Sequence, residues 1–193
     1  MTIQHVNRLG RTYYLYQATT DKGATRYFFS RSTDAAGTPV EAVPDGYEIY
    51  EHPRGQVYLR RAHKIEIDDH EISFVEKGVR RHTRLKHFLV DRQAKAIVIH
   101  TPGETAGRLQ AALSQFAIGP GAGSVPDLEP YLSYLPMMRF TLVDKERRLF
   151  QPARYCLRGR IDGWIDIGSP DRLDRLVATY VRHLEKDSFY DLF

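Results

Sequence analysis

Cys156 is the single cysteine of the chain, and it lies in ARYCLRG between Arg154 and Arg158. Flanking guanidinium groups favour a thiolate over a thiol, which is how a cysteine becomes a nucleophile. His100 and His183 are the histidines that could serve it as base if the fold brings either within hydrogen-bond reach. The bland alternative is a small residue filling a strand. The eight histidines invite a search for metal ligands. His63 and His70 flank a strand-like segment and His82 and His87 flank a turn, so neither pair has the i, i+4 spacing of a helical zinc site. Asp162 and Asp166 bracket the sole tryptophan. Four residues apart on a strand they stand about 13 Å from each other, too far to share a proton. The glycines of IGPGAGS (118–124) suggest a phosphate cradle only superficially: they follow a helix-like segment, and no Gly-Lys-Ser/Thr is present. These groups specify no catalytic residue, no metal and no cofactor.

Charge gives a sharper signal. The chain of 193 residues has a formal net charge of +4. Residues 54–95 carry 11 Lys/Arg against 6 Asp/Glu, while 1–53 and 96–193 are close to balanced. The centre of the excess is Arg80, Arg81, Arg84 and Lys86. That grouping suits phosphates, so nucleic acid is one candidate partner and an acidic protein another. Short basic runs also occur simply as solvated helix ends.

Three elements must position these residues. Asp68 with Glu71 three residues later forms a capping-box pattern, and Ile72, Val75 and Val79 follow at helical spacing, which predicts a helix over 69–82. Its basic end feeds a strand at 87–91, a turn at 92–95 and an apolar strand at 96–100. Upstream, RTYYLYQ (11–17) and TRYFFSR (25–31) predict a hairpin about Asp21 and Gly23, with a short strand near 40–43 to follow. A second hairpin, YEIYEHPRGQVYLRR, turns at Pro53-Arg54-Gly55. That turn sets Tyr50 opposite Tyr58 and Glu48 opposite Arg60, leaving Tyr47, Ile49, Val57 and Leu59 for the core face. Tyr50, Tyr58 and Arg60 then form an aromatic and arginine face of the kind on which bases stack, or an ordinary cross-strand cluster.

Downstream, Thr101-Pro102-Gly103-Glu104 reads as N-cap, N1 proline and N3 acid of a helix whose stripe is Leu109, Ala112, Leu113 and Phe116. A short helix is expected within 127–135 and a hairpin joins 138–143 to 149–157, followed by a strand at 163–167. Ser169-Pro170-Asp171 reads as the start of a long final helix carrying Leu173, Leu176, Val177, Tyr180, Val181 and Leu184 on one face. The tail SFYDLF is apolar enough to dock.

The expected architecture is α+β: N-terminal antiparallel β-hairpins over residues 1–62, then a mixed domain over 63–193 with three main helices packed on antiparallel strands. No apolar run of membrane-spanning length occurs and the N-terminus lacks a signal-peptide pattern. With one cysteine, these features point to a cytoplasmic protein with no membrane partner. The expected function is a non-catalytic binding or interaction protein with a basic surface; the alternative is an enzyme using Cys156 or an acid–histidine cluster.

The blocks RYFFS (26–30), PDGYEIYEHPRGQVYLRR (44–61), RFTLVDKERRLF (139–150), RYCLRGRIDGWI (154–165) and HLEKDSFYDLF (183–193) resemble a family of uncharacterised bacterial proteins. The resemblance touches nearly the whole chain and implies a soluble bacterial protein. It implies no activity, cofactor or catalytic residue.

Overall fold

The computed structural model describes residues 2–103, 129–158 and 161–192. The chain divides into two compact units, Met1–His63 and Lys64–Phe193.

The first unit is built from antiparallel strands. β1 (Gln4–Val6), β2 (Thr12–Thr19) and β3 (Thr25–Ser30) lie in that order, and β4 (Thr38–Pro39) pairs with β2. β5 (Tyr47–Glu51) and β6 (Val57–Arg61) form a separate two-stranded sheet. The β2–β3 hairpin turns where Gly23 takes φ 77 and its N–H donates to the Thr20 carbonyl at 2.8 Å. In the β5–β6 hairpin Gly55 takes φ 78, and the His52 N–H donates to the Gln56 carbonyl at 2.8 Å. A left-handed residue there is what a three-residue loop needs, and glycine takes it without a Cβ clash. The short strand expected at 40–43 is instead Thr38–Pro39, extended at Val40, whose carbonyl accepts from the Ile3 N–H at 2.9 Å and whose N–H donates to the Leu15 carbonyl at 3.0 Å.

The second unit begins with α1 (Asp69–His82). The Asp68 carboxylate accepts from the Glu71 N–H at 2.8 Å while Glu71 Oε2 accepts from the Asp68 N–H at 3.1 Å, so both halves of the capping box are formed. There follow β7 (Leu89–Arg92), β8 (Ala96–Pro102), β9 (Tyr134–Asp144), β10 (Leu149–Arg158) and β11 (Ile161–Asp166). They make an antiparallel meander in the order β11-β10-β9-β8-β7, with β12 (Asp171–Arg172) pairing with β10. α2 (Leu173–Tyr180) and two 3₁₀ turns, Val181–His183 and Asp187–Phe189, close the described chain. Val75 and Val79 of α1, Leu176 and Val177 of α2, and Ile97, Ile99, Phe140 and Phe150 of the sheet share one core. The tail docks: Phe189 is buried in that core.

The three-helix expectation is overturned. Strands dominate, and the described residues contain two short α-helices. Thr101 and Pro102 are not a helix start; they end β8, paired with Leu135 and Tyr134. The stripe Leu109–Phe116 and the glycines of 118–124 lie outside the described residues. The helix expected within 127–135 is a 3₁₀ turn at Glu129–Tyr131, after which the chain enters β9. The long final helix is trimmed at both ends. Asp171 and Arg172 are held extended by pairing with Phe150 and Leu149, so the helix starts at Leu173 with no side-chain cap. The apolar spacing was nevertheless a correct guide to burial, since Leu173, Leu176, Val177, Val181 and Leu184 are all buried.

Candidate functional site

The basic turn follows from the way α1 ends. Thr83 caps the helix, its N–H and its Oγ1 both donating to the Val79 carbonyl, at 3.0 and 2.8 Å. Thr83 Oγ1 then accepts from the Leu85 N–H at 3.2 Å. Leu85 packs against the core, which leaves Arg80, Arg81, Arg84 and Lys86 exposed around it. Arg80 lies 5.5 Å from the Phe88 ring centroid. None of the four is paired with a carboxylate among the described residues. Their neighbours are: Arg92 bonds Asp69, Arg148 bonds Glu71, and Lys95 and Lys145 both reach Glu66.

In the first unit, Tyr50 lies opposite Tyr58 and Glu48 opposite Arg60, the register that the turn dictated. The side chains are committed to one another. Arg60 stacks on the Tyr50 ring at 3.8 Å and donates through Nε to Glu48 at 2.7 Å. Tyr58 is 46% exposed and its hydroxyl donates to Gln56 Oε1 at 2.6 Å. One ring of this trio is therefore covered by the arginine, and the other remains in water. Tyr50, Tyr58 and Arg60 belong to one unit, and Arg80, Arg81, Arg84 and Lys86 to the other.

A cavity of ≈ 920 Å³ sits where the second sheet forks. β9 and β10 pair as far as Met138 opposite Arg154, then separate, while β9 continues along β8 and β10 along β11. Two steps further the register would set Pro136 opposite Cys156. Proline has no N–H to donate, so the ladder stops short of it. Leu135, Pro136 and Met137 line one arm of the fork and Arg154, Tyr155 and Cys156 the other. Glu185, Asp187 and Tyr190 form the rim, with Glu185 at φ 67. Arg154 is 5% exposed and donates through Nε to the Leu192 carbonyl at 2.9 Å. The Arg158 side chain lies outside the described part.

Cys156 thus faces a cavity and is partly exposed. No histidine stands among the described residues of that cavity, and His183 Nδ1 lies 2.9 Å from Ser188 Oγ. The titratable side chains that share this lining with the thiol, besides Arg154 and Tyr155, are Glu185, Asp187 and Tyr190. Asp162 and Asp166 are exposed at the two ends of β11, and the Tyr155 hydroxyl donates to Asp162. Among the described residues no group of three or more His, Cys, Asp or Glu is placed to hold a metal ion.

Sequence reasoning missed the fork and its rim. The available signal was Pro136 inside a strand-like run, since proline in a central strand marks a place where pairing fails. It also missed the aromatic wall of Tyr27, Phe28 and Phe29, which borders a second cleft in the first unit. No helix of the described residues is long and apolar enough to cross a membrane. Comparison of the chain with family models, with curated proteins and with solved structures returns no match.

Proposed function

We propose that this chain is a non-catalytic binding protein whose basic turn takes the phosphates of nucleic acid. The observation that carries the reading is the group Arg80, Arg81, Arg84 and Lys86, exposed together without carboxylate partners among the described residues, whereas Arg92, Lys95, Lys145 and Arg148 of the same unit are paired. Cations left unneutralised keep a local positive potential, which draws and holds a polyanion. The single cysteine fits a reducing, cytoplasmic setting, and the family resemblance, the sole basis for a bacterial origin, adds no activity to the proposal.

The test is binding of fluorescent single- and double-stranded oligonucleotides over a salt series. Each phosphate neutralised on duplex DNA contributes about −0.9 to the slope of log K against log salt, so four contacts give about −3.6. Arg80→Glu/Arg81→Glu/Arg84→Glu should abolish binding. The matching triple glutamine variant should weaken it and flatten the slope toward about −1. Reversing the charges at the helix end costs about 0.3–1 kcal/mol at each position, so a thermal melt separates lost binding from lost folding. No binding at low salt would sink the proposal, and capture of an acidic protein by the same residues would replace nucleic acid as the partner.

The enzyme alternative keeps one observation in its favour, the cavity wall position of Cys156. A catalytic thiolate should be alkylated by iodoacetamide far faster than free cysteine at neutral pH. A rate at or below that of free cysteine removes this alternative.

A further inference from the structure

His87 follows Lys86 directly in the basic turn, and the ring of the next residue, Phe88, lies 5.5 Å from Arg80. Unlike the four cations, this imidazole is held by a carboxylate. Its Nδ1 lies 3.2 Å from Glu129 Oε2, and both side chains are 31% exposed. The Tyr134 hydroxyl donates to both oxygens of the same carboxylate at 2.8 Å. Tyr134 is 1% exposed and opens β9 opposite Pro102. A buried phenol thus fixes a carboxylate, and the carboxylate fixes a part-exposed ring.

The relay also sets what the ring offers. An ionised carboxylate only accepts hydrogen bonds, so the proton of a neutral His87 sits on Nδ1. Nε2 is then an acceptor. Among the described residues the His87 ring makes its hydrogen bond to Glu129, through Nδ1. Phosphate oxygens accept and cannot use such a group. Of the two nucleic-acid backbones, that of RNA alone carries a repeating donor, the ribose 2′-OH. Each phosphate has such a hydroxyl close by, so cations that hold the phosphates bring it to a neighbouring acceptor. Because the ring is already held in place, little side-chain freedom is lost when it is used.

We infer that His87, positioned by Glu129 and Tyr134, is a ribose contact that makes the basic turn prefer RNA to DNA. The inference rests on the proposal that the turn takes phosphates, and it adds the sugar to that reading.

The test compares oligouridylate, oligodeoxyuridylate and 2′-fluoro-oligouridylate of equal length, each titrated into the full chain and followed by anisotropy. The 2′-fluoro polymer keeps an RNA-like sugar pucker but has no hydroxyl proton to donate. One hydrogen bond is worth about fivefold, so RNA should bind about fivefold more tightly than either analogue. His87→Phe should bring the three affinities together while leaving the DNA affinity near that of the parent. Glu129→Ala should narrow the preference as well, because the ring loses its holder. A role confined to pinning the loop would lower all three affinities together and leave their ratios unchanged, which overturns the inference. A 2′-fluoro polymer bound as tightly as RNA overturns it too, since shape and not the hydroxyl would then be read. That comparison uses the unaltered protein and stands whether or not a variant folds. Equal binding of RNA and DNA removes the ribose contact and leaves the phosphate proposal intact. Failure of all three polymers to bind removes both. Cleavage of oligouridylate alone would make His87 a base and replace recognition with catalysis.

Discussion

At the scale of single residues, Glu71 ties together more of the second unit than any sequence pattern announced. Its carboxylate completes the capping box of α1 and also receives Arg148, whose Nε donates to Oε1 at 3.0 Å. The same guanidinium reaches the Glu66 carbonyl at 3.1 Å. Bonding to Glu71 holds the Arg148 pKa above the ordinary arginine range. Glu71 is nearly buried, so removing it strands a cation and an uncapped amide. Glu71→Ala should cost about 3 kcal/mol and Glu71→Gln nearer 1 kcal/mol, read from urea unfolding. The proton linkage of His183 is a second residue-scale consequence. Burial, with Arg182 and Lys186 nearby, holds its imidazole below the ordinary value of 6.5. The unfolded chain then takes up a proton at higher pH than the folded chain does. Stability from this group is complete above about pH 6.5 and is lost as pH falls through the folded value. His183→Asn should flatten that part of the pH dependence of the urea midpoint, leaving the midpoint at neutral pH less affected.

At the scale of elements, α1 and α2 meet at Gly78. A Cβ there would stand 2.2 Å from Val177 Cγ1. Alanine is the better helix former by about 1 kcal/mol, yet overpacking a rigid contact costs about 1–3 kcal/mol. Gly78→Ala should therefore destabilise the protein despite its propensity, and Gly78→Ala combined with Val177→Ala should recover part of the loss in a double-mutant cycle. The elements that could be read from sequence were those with both ends written locally. α1 had a capping box at one end and basic residues at the other, and it forms over the expected span. The β5–β6 register followed from Gly55 and from the alternation of Val57 and Leu59 with Tyr58 and Arg60. The final helix had an equally good local start at Ser169-Pro170-Asp171, but pairing of Asp171 and Arg172 with β10 overrode it. Strand pairing with residues more than twenty positions away leaves no mark in a local window.

At the scale of the molecule, the two units carry separate cores of unequal size. The large cluster runs from Ile67 to Phe189 and belongs wholly to the second unit. The first unit buries Leu15, Tyr16 and Val57 as its hydrophobic residues. A domain near 60 residues is marginal even with a full core. Residues 64–193 expressed alone should thus unfold cooperatively in urea. Residues 1–63 alone should show weak amide protection and a shallow thermal transition. The connecting residues Arg61–Ile65 are exposed, so trypsin should cut there first. If 64–193 fails to fold while the whole chain does, the units depend on one another and the division is geometric only.

The sequence by itself determined the capped helix α1, the glycine turns of the two N-terminal hairpins, the β9–β10 hairpin and the burial of the tail. Each is specified by residues that touch within a few positions, where φ preference, capping and period decide the outcome. It also placed four cations together across the end of α1, which is a matter of adjacency. Tertiary structure alone decided that Thr101 and Pro102 finish a strand, that the last helix is short, and that the sheet forks at Pro136. Those outcomes depend on which distant strand competes for a given backbone edge, and side chains that read well locally yield when a neighbouring strand supplies the hydrogen bonds.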